Sequence, residues 1–220
     1  MTAHPATIGV MDVPSLPAAI AGLPVPQDEV SRAAWRWAHG TLPRYLLAHS
    51  VRSYCWGAAL GAQEGLTVDG QVLWCASLFH DVGLTTIARN TMCFEIEGAE
   101  FARRTLERFG MDPEAADRAA IAIILHMQPN VTLDDGVEAV LLDRATAIDV
   151  RGVDVDLVAS VRPTVTRTFP RGAFDRHFLR AIRREVERRG DCQSARLLNE
   201  TDLAGWMARS PWAAEGVPTC

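Results

Sequence analysis

The sequence predicts an all-α fold, a helical bundle. Apolar residues recur at three- and four-residue spacing along most of the chain, and period-two alternation is essentially absent. Helix-starting and helix-stopping residues punctuate the periodic stretches. A chain of 220 residues is long enough for a substantial single core.

The elements follow in order. Residues 1–26 hold five prolines and little periodicity, which predicts an extended N-terminal arm. The main domain is expected over 27–190. Its first helix begins near Asp28, with Val30, Ala33, Ala34 and Trp37 on one face and Gly40 as a stop. A second runs from about Pro43 to Gly65 on the stripe Leu46, Leu47, Val51, Tyr54, Cys55, Ala58. Asp69 reads as the N-cap of a third, QVLWCASLFHDVG, whose apolar character all round predicts burial. After the irregular LTTIARNTMC, a helix spans about Glu95 to Phe109 and Gly110 ends it. Asp112-Pro113 opens the next with an N-cap and a proline at the first position. A loop over Pro129–Asp135 leads into VEAVLLDRATAIDV. A short helix is expected near 154–161, then the loop FPRG, an arginine-rich helix over 173–189, and a final helix from about Ser194. Residues 191–220 are expected to pack on the same domain as a helical extension.

Composition narrows the function. A formal charge of −5 and a pI near 5.7 supply no basic face for nucleic acid. Every basic residue is arginine, which excludes lysine Schiff-base chemistry and a P-loop lysine. Cysteines at 55, 75, 93, 192 and 220 form no C-x-x-C pair and read as thiols in a reducing compartment. No apolar run reaches the ~20 residues of a membrane span, and the N-terminus lacks a signal-peptide pattern. The expectation is a cytoplasmic protein acting on a small molecule, with no nucleic-acid or membrane partner. Trp35, Trp206 and Trp212 are candidate interface residues should it form a homo-oligomer.

The chemistry concentrates where polar residues punctuate apolar helices. His49 sits mid-helix among Leu46, Leu47 and Val51. His80 ends the most apolar helix and Asp81 follows at once, while His126 and Asp149 end two further apolar helices. A buried, ionised carboxylate without a partner costs several kcal/mol, so Asp81 and Asp149 need a cation or strong donors. A divalent metal is one such cation and arginine another. Adjacent His80 and Asp81 diverge by ~100° on a helix, so both reach one ion only where the helix end opens onto a cavity. Val82-Gly83 suits such an end. Two histidines and two carboxylates suit zinc, with iron, manganese, cobalt and nickel as alternatives, in preference to calcium or magnesium.

The order His49, His80-Asp81, Asp149 resembles the HD-domain superfamily of metal-dependent hydrolases. Further segments resemble its cyanamide hydratase-like branch: HSVRSY at 49–54, LFHDVGLTT at 78–86, FEIEG at 94–98, ILHMQ at 124–128, ATAID at 145–149 and FPRGAF at 169–174. The resemblance spans roughly residues 30–190. It implies a metal on His49, His80, Asp81 and Asp149, and addition of water to a small nitrile-like substrate. Two positions depart from the branch: Val150 stands where it usually has asparagine, and Ala99 where it has a second glycine.

Beside that resemblance, His126 is the candidate proton shuttle and Glu95 a candidate for orienting water. Arg52, one turn beyond His49, either neutralises Asp81 or Asp149 or binds an anionic substrate. Thr85, Thr86, Phe94 and Asn130 are candidates for the substrate pocket. Three rival readings are a phosphohydrolase of nucleotide monophosphates, with Arg52 and Arg89 on the phosphate, an iron oxygenase, and a non-catalytic protein with a structural metal.

Overall fold

The computed structural model describes residues 14–87 and 92–214. The first half of the expected arm and Arg89 lie outside these. The described arm ends in a minimal hairpin, β1 Ala19–Ile20 against β2 Leu23–Pro24, turned by Ala21 and Gly22 at positive φ. Everything else regular is helical: α1 Glu29–Thr41, α2 Arg44–Gln63, α3 Gly70–Phe79, α4 Phe94–Arg108, α5 Pro113–Leu125 and α6 Val137–Arg151. The C-terminal part adds α7 Arg162–Thr168, α8 Phe174–Arg188, α9 Gln193–Glu200 and α10 Leu203–Arg209. The all-α class stands. Among the described residues, no helix is long and apolar enough to cross a membrane.

Side-chain caps set four of the ten described helix starts. Asp28 accepts from the Ser31 amide, Asp69 from those of Gln71 and Val72, and Asp112 from those of Glu114 and Ala115. Gly152 ends α6 in the left-handed conformation. Three local expectations are corrected. The stretch near 154–161 holds only a 3-10 turn, Val155–Val158, and the following RPTVTRT forms α7, with proline in its first turn. The single final helix is two, because Asp202 caps a new start at α10. Trp35 and Trp212 are buried, donating to the carbonyls of Pro14 and Ile148, so neither offers an exposed interface.

Helix α3 is the hub, buried from Val72 to Phe79 and packed by α1, α2, α4, α5 and α6. The dominant apolar cluster runs through this group. A second cluster joins Phe174, Phe178 and Ile182 of α8 with Leu203 and Met207 of α10, Val150 of α6 and Phe94 of α4. Helix α8 buries positions 174, 178, 182 and 185 and turns its arginines outward, the amphipathic division its spacing demands.

The cysteine expectation is also corrected. Cys55 and Cys75 are buried free thiols, but Cys93 and Cys192, ahead of α4 and α9, form a disulfide. Ninety-nine residues separate them, so no local pattern announces the pair. Closing so long a loop constrains the unfolded chain, and Cys192→Ser is expected to cost about 2–4 kcal/mol. Urea unfolding with and without reductant checks this; coincident curves would mean that the bridge adds nothing.

Candidate metal centre

The site forms where α2, the end of α3 and the end of α5 meet. His80 caps α3 in helical geometry, after which the chain tightens into a 3-10 turn at Val82–Leu84. That change of winding lets His80 and Asp81 face one point. Gly83 makes it possible, because a Cβ there would lie 2.0 Å from the Phe94 carbonyl oxygen at the start of α4. No side chain fits.

His49 Nε2 lies 3.0 Å from His80 Nε2, and Asp81 Oδ2 stands 3.5 Å from the first and 3.4 Å from the second. The outer ring nitrogens are already engaged. His80 Nδ1 donates to the Ser77 carbonyl at 2.8 Å, and His49 Nδ1 donates to Asp149 Oδ2 at 2.7 Å. With the proton on Nδ1, each neutral ring turns a lone pair inward. Asp81 Oδ2 is buried and has no hydrogen-bond partner. Three acceptors therefore converge, the donor set of a cation site with its supporting contacts in place. His49, His80 and Asp81 form a divalent-metal site.

The sequence model of the HD domain matches residues 46–156, half of the chain. The chain belongs to the HD-domain family. Two relatives, the cyanamide hydratases DDI2 and DDI3 of Saccharomyces cerevisiae, are each 27% identical to it over 155 residues. The match covers 68% of this chain and 69% of each relative.

Around the HD site the electrostatics are sharply divided. Burial works against the Asp81 carboxylate, but His80, His49 and His126 together hold it well below its usual range. Burial also pulls His80 down, and the neighbouring Asp81 more than reverses that. His49 is lowered by burial despite Asp149. His126 ends α5, donates from Nδ1 to the Ile123 carbonyl at 2.6 Å, and brings Nε2 to 3.9 Å from Asp81 Oδ1. Burial, then the charge of His80, pushes it down to about 4.

Asp149, the fourth ligand that the resemblance implies, is densely hydrogen-bonded. Its oxygens accept from Arg52 Nε and Nη2 at 2.8 and 2.7 Å, from Trp56 Nε1 at 2.9 Å and from His49 Nδ1. Arg171 adds a contact at 3.3 Å. Burial disfavours its charge, yet Arg52 and Arg171 keep it well below the usual range. Arg52 is itself fully buried and paired with Asp149.

A cavity of about 350 Å³ opens onto His49, His80, Asp81 and His126. Asn130 lines it, at a positive φ of 65°. The other pocket candidates are not among its lining residues. Thr85 closes the 3-10 turn by donating to the Val82 carbonyl, Thr86 is exposed, and Phe94 is buried against the His126 ring. Glu95 is buried outside the cavity lining; burial and then Glu185 raise its pKa. Sequence reasoning missed Trp56, Arg171, Phe174 and Phe178. Trp56 was within reach, being four residues after Arg52 and seven after His49 on one helix face. Phe174 and Phe178, whose rings lie 4.7 and 6.0 Å from that of His49, arrive from a distant helix; Phe174 closes the FPRGAF segment, and Phe178 has no motif to mark it.

Proposed function

We propose that the protein is a metal-dependent hydratase that adds water to a small nitrile-like substrate, with cyanamide to urea as the type reaction. One observation carries the reading: His49, His80 and Asp81 converge on the wall of a cavity, with His126 beside them. A purely structural zinc site is closed by four protein ligands, whereas a catalytic one keeps a position open. Two imidazoles and a carboxylate suit zinc first, then iron, manganese, cobalt or nickel. A divalent ion held there supplies a Lewis acid and lowers the pKa of bound water toward 7.

The residues then divide the work. Hydration forms a carbon–oxygen bond, opens the carbon–nitrogen multiple bond and moves protons from water to nitrogen. His126 Nε2 is the acceptor placed to take a proton from the attacking water and return it to the substrate nitrogen. His49 is held by Asp149, and Asp149 in turn by Arg52, Arg171 and Trp56. In this reading Asp149 and Arg52 position the site from behind His49. His126→Ala is expected to keep the metal and lower kcat by about 10²–10⁴-fold, the usual worth of general acid–base catalysis. Loss of the metal in that variant would make His126 a ligand instead.

The phosphohydrolase reading finds less support. Arg52 and Arg171 are engaged by Asp149, and among the described residues lining the cavity Arg151 is the one cation. A cytoplasmic setting has one observation against it, because a disulfide such as Cys93–Cys192 persists best where the surroundings are oxidising. The deciding experiment is metal analysis of the purified protein, with cyanamide, small nitriles and nucleotide monophosphates assayed on the same sample. One equivalent of transition metal with urea or amide formation supports hydration. Phosphate release would replace it with phosphohydrolysis.

A further inference from the structure

The cavity is larger than the smallest nitrile requires. Its volume of about 350 Å³ falls in the ~300–1,000 Å³ range that holds drug-sized ligands. Cyanamide, an amino group joined directly to a nitrile, displaces little more than one or two waters, at about 30 Å³ each. A substrate of that size leaves most of the lining without a partner.

That lining has two adjoining parts. The polar part centres on the compact group of His49, His80, Asp81 and His126 and includes Gln128, Asn130, Thr146 and Gln193. The apolar part includes Met127, Pro129 and Ala147 and, belonging to or packed on one hydrophobic cluster, Val150 of α6, Phe178 of α8, Leu197 of α9 and Leu203 of α10. Val150, Phe178 and Leu203 are buried, so this surface is set by packing before any ligand arrives. Phe178 joins the two parts, its ring 6.0 Å from that of His49. Of the seven apolar lining residues, Phe178, Leu197 and Leu203 lie outside the matched HD segment, residues 46–156, so the common domain and the part that follows it build this surface together. Beyond the polar group, the charged lining residues are Asp143 and Arg151, of opposite sign and on one helix. They give no net preference for a charged ligand body.

We propose that the cavity selects an uncharged nitrile with an aryl or alkyl body, its nitrile at His49, His80, Asp81 and His126 and its hydrocarbon against Val150, Phe178, Leu197 and Leu203. The nitrile in this assignment rests on the hydration reading above; the apolar body rests on the cavity. In the balanced reaction one nitrile and one water give one primary amide, with no oxidant, reductant or co-reactant. The water oxygen bonds to the nitrile carbon, two of the three carbon–nitrogen bonds are replaced, and both water protons end on nitrogen. Each methylene held in an apolar pocket discriminates by roughly 10–200-fold, so a benzyl group is expected to raise kcat/KM by about 100-fold or more over cyanamide.

The test uses metal-loaded protein, with cyanamide and phenylacetonitrile as substrates and phenylacetamide as a calorimetric probe of binding. Phenylacetonitrile is expected to be the better substrate, and phenylacetamide to bind. Leu197→Trp, a substitution at a half-buried wall position, is expected to lower the phenylacetonitrile-to-cyanamide ratio of kcat/KM at least about tenfold, and to weaken phenylacetamide in parallel. Hydration of cyanamide with neither turnover of phenylacetonitrile nor binding of phenylacetamide would overturn the inference and leave the hydration reading standing. Binding of phenylacetamide that Leu197→Trp weakens, with neither nitrile hydrated, would overturn hydration and retain the apolar ligand.

Discussion

Replacing His80 or Asp81 with alanine is expected to abolish metal binding and activity together. Each supplies one of three acceptor atoms that converge without a donor between them. Removing a contact that merely supports a ligand typically costs 10–100-fold in metal affinity. Removing a ligand itself from a set of three is expected to exceed that, leaving no stoichiometric metal after dialysis. Metal content by elemental analysis, with helicity followed on the same samples, checks the expectation. Stoichiometric metal retained in either variant would remove that residue from the site.

The second large effect is on stability. Asp149→Ala is expected to destabilise the protein by about 3–5 kcal/mol, because it leaves buried charges uncompensated. The order of two variants tests the geometry more sharply than either alone. Asp149 answers both Arg52 and Arg171, so its loss strands the Arg52 guanidinium and leaves Arg171 with Asp175 alone. Arg52→Ala leaves Asp149 with Arg171, His49 and Trp56, and is expected to cost less. Arg52→Lys is expected to restore little, since a point charge cannot reproduce the two-pronged contact. Asp149→Asn keeps the volume and is expected to weaken metal affinity by about 10–100-fold through the loosened His49 ring. Urea unfolding and metal titration measure these effects. An Asp149→Ala protein as stable as the parent would contradict the buried pairing.

The site shows why such an arrangement holds in a small helical protein. A buried ion pair is weak evidence for net stability, because desolvation consumes most of the Coulombic gain. Here the pair fixes an orientation. Asp149 holds the Nδ1 proton of His49, and that leaves Nε2 free for the cation. The Ser77 and Ile123 carbonyls do the same for His80 and His126. Three histidines thus have their tautomers set by backbone or carboxylate acceptors, each within or behind the helix that carries it.

Some of this was determined by the sequence alone. Helical periodicity and the caps at Asp28, Asp69 and Asp112 settle class and helix starts, because both act within a few residues of chain. The placing of His80-Asp81 at the end of an apolar helix before Val82-Gly83 was legible for the same reason, as was a cation among His49, His80 and Asp81. Tertiary structure alone decided the rest. The partner of Arg52 lies 97 residues away, and that of Cys93 lies 99 away. The cavity wall draws on α8, α9 and α10, far in sequence from His49. Local pattern states that a helix has a buried face; only the packing of helices against one another states which residue of another helix that face meets. Asp149 shows the limit most plainly: its burial and need for a cation were readable at the end of α6, but that Arg52 and Arg171 both reach it was set by how α2 and the FPRG loop pack against that end.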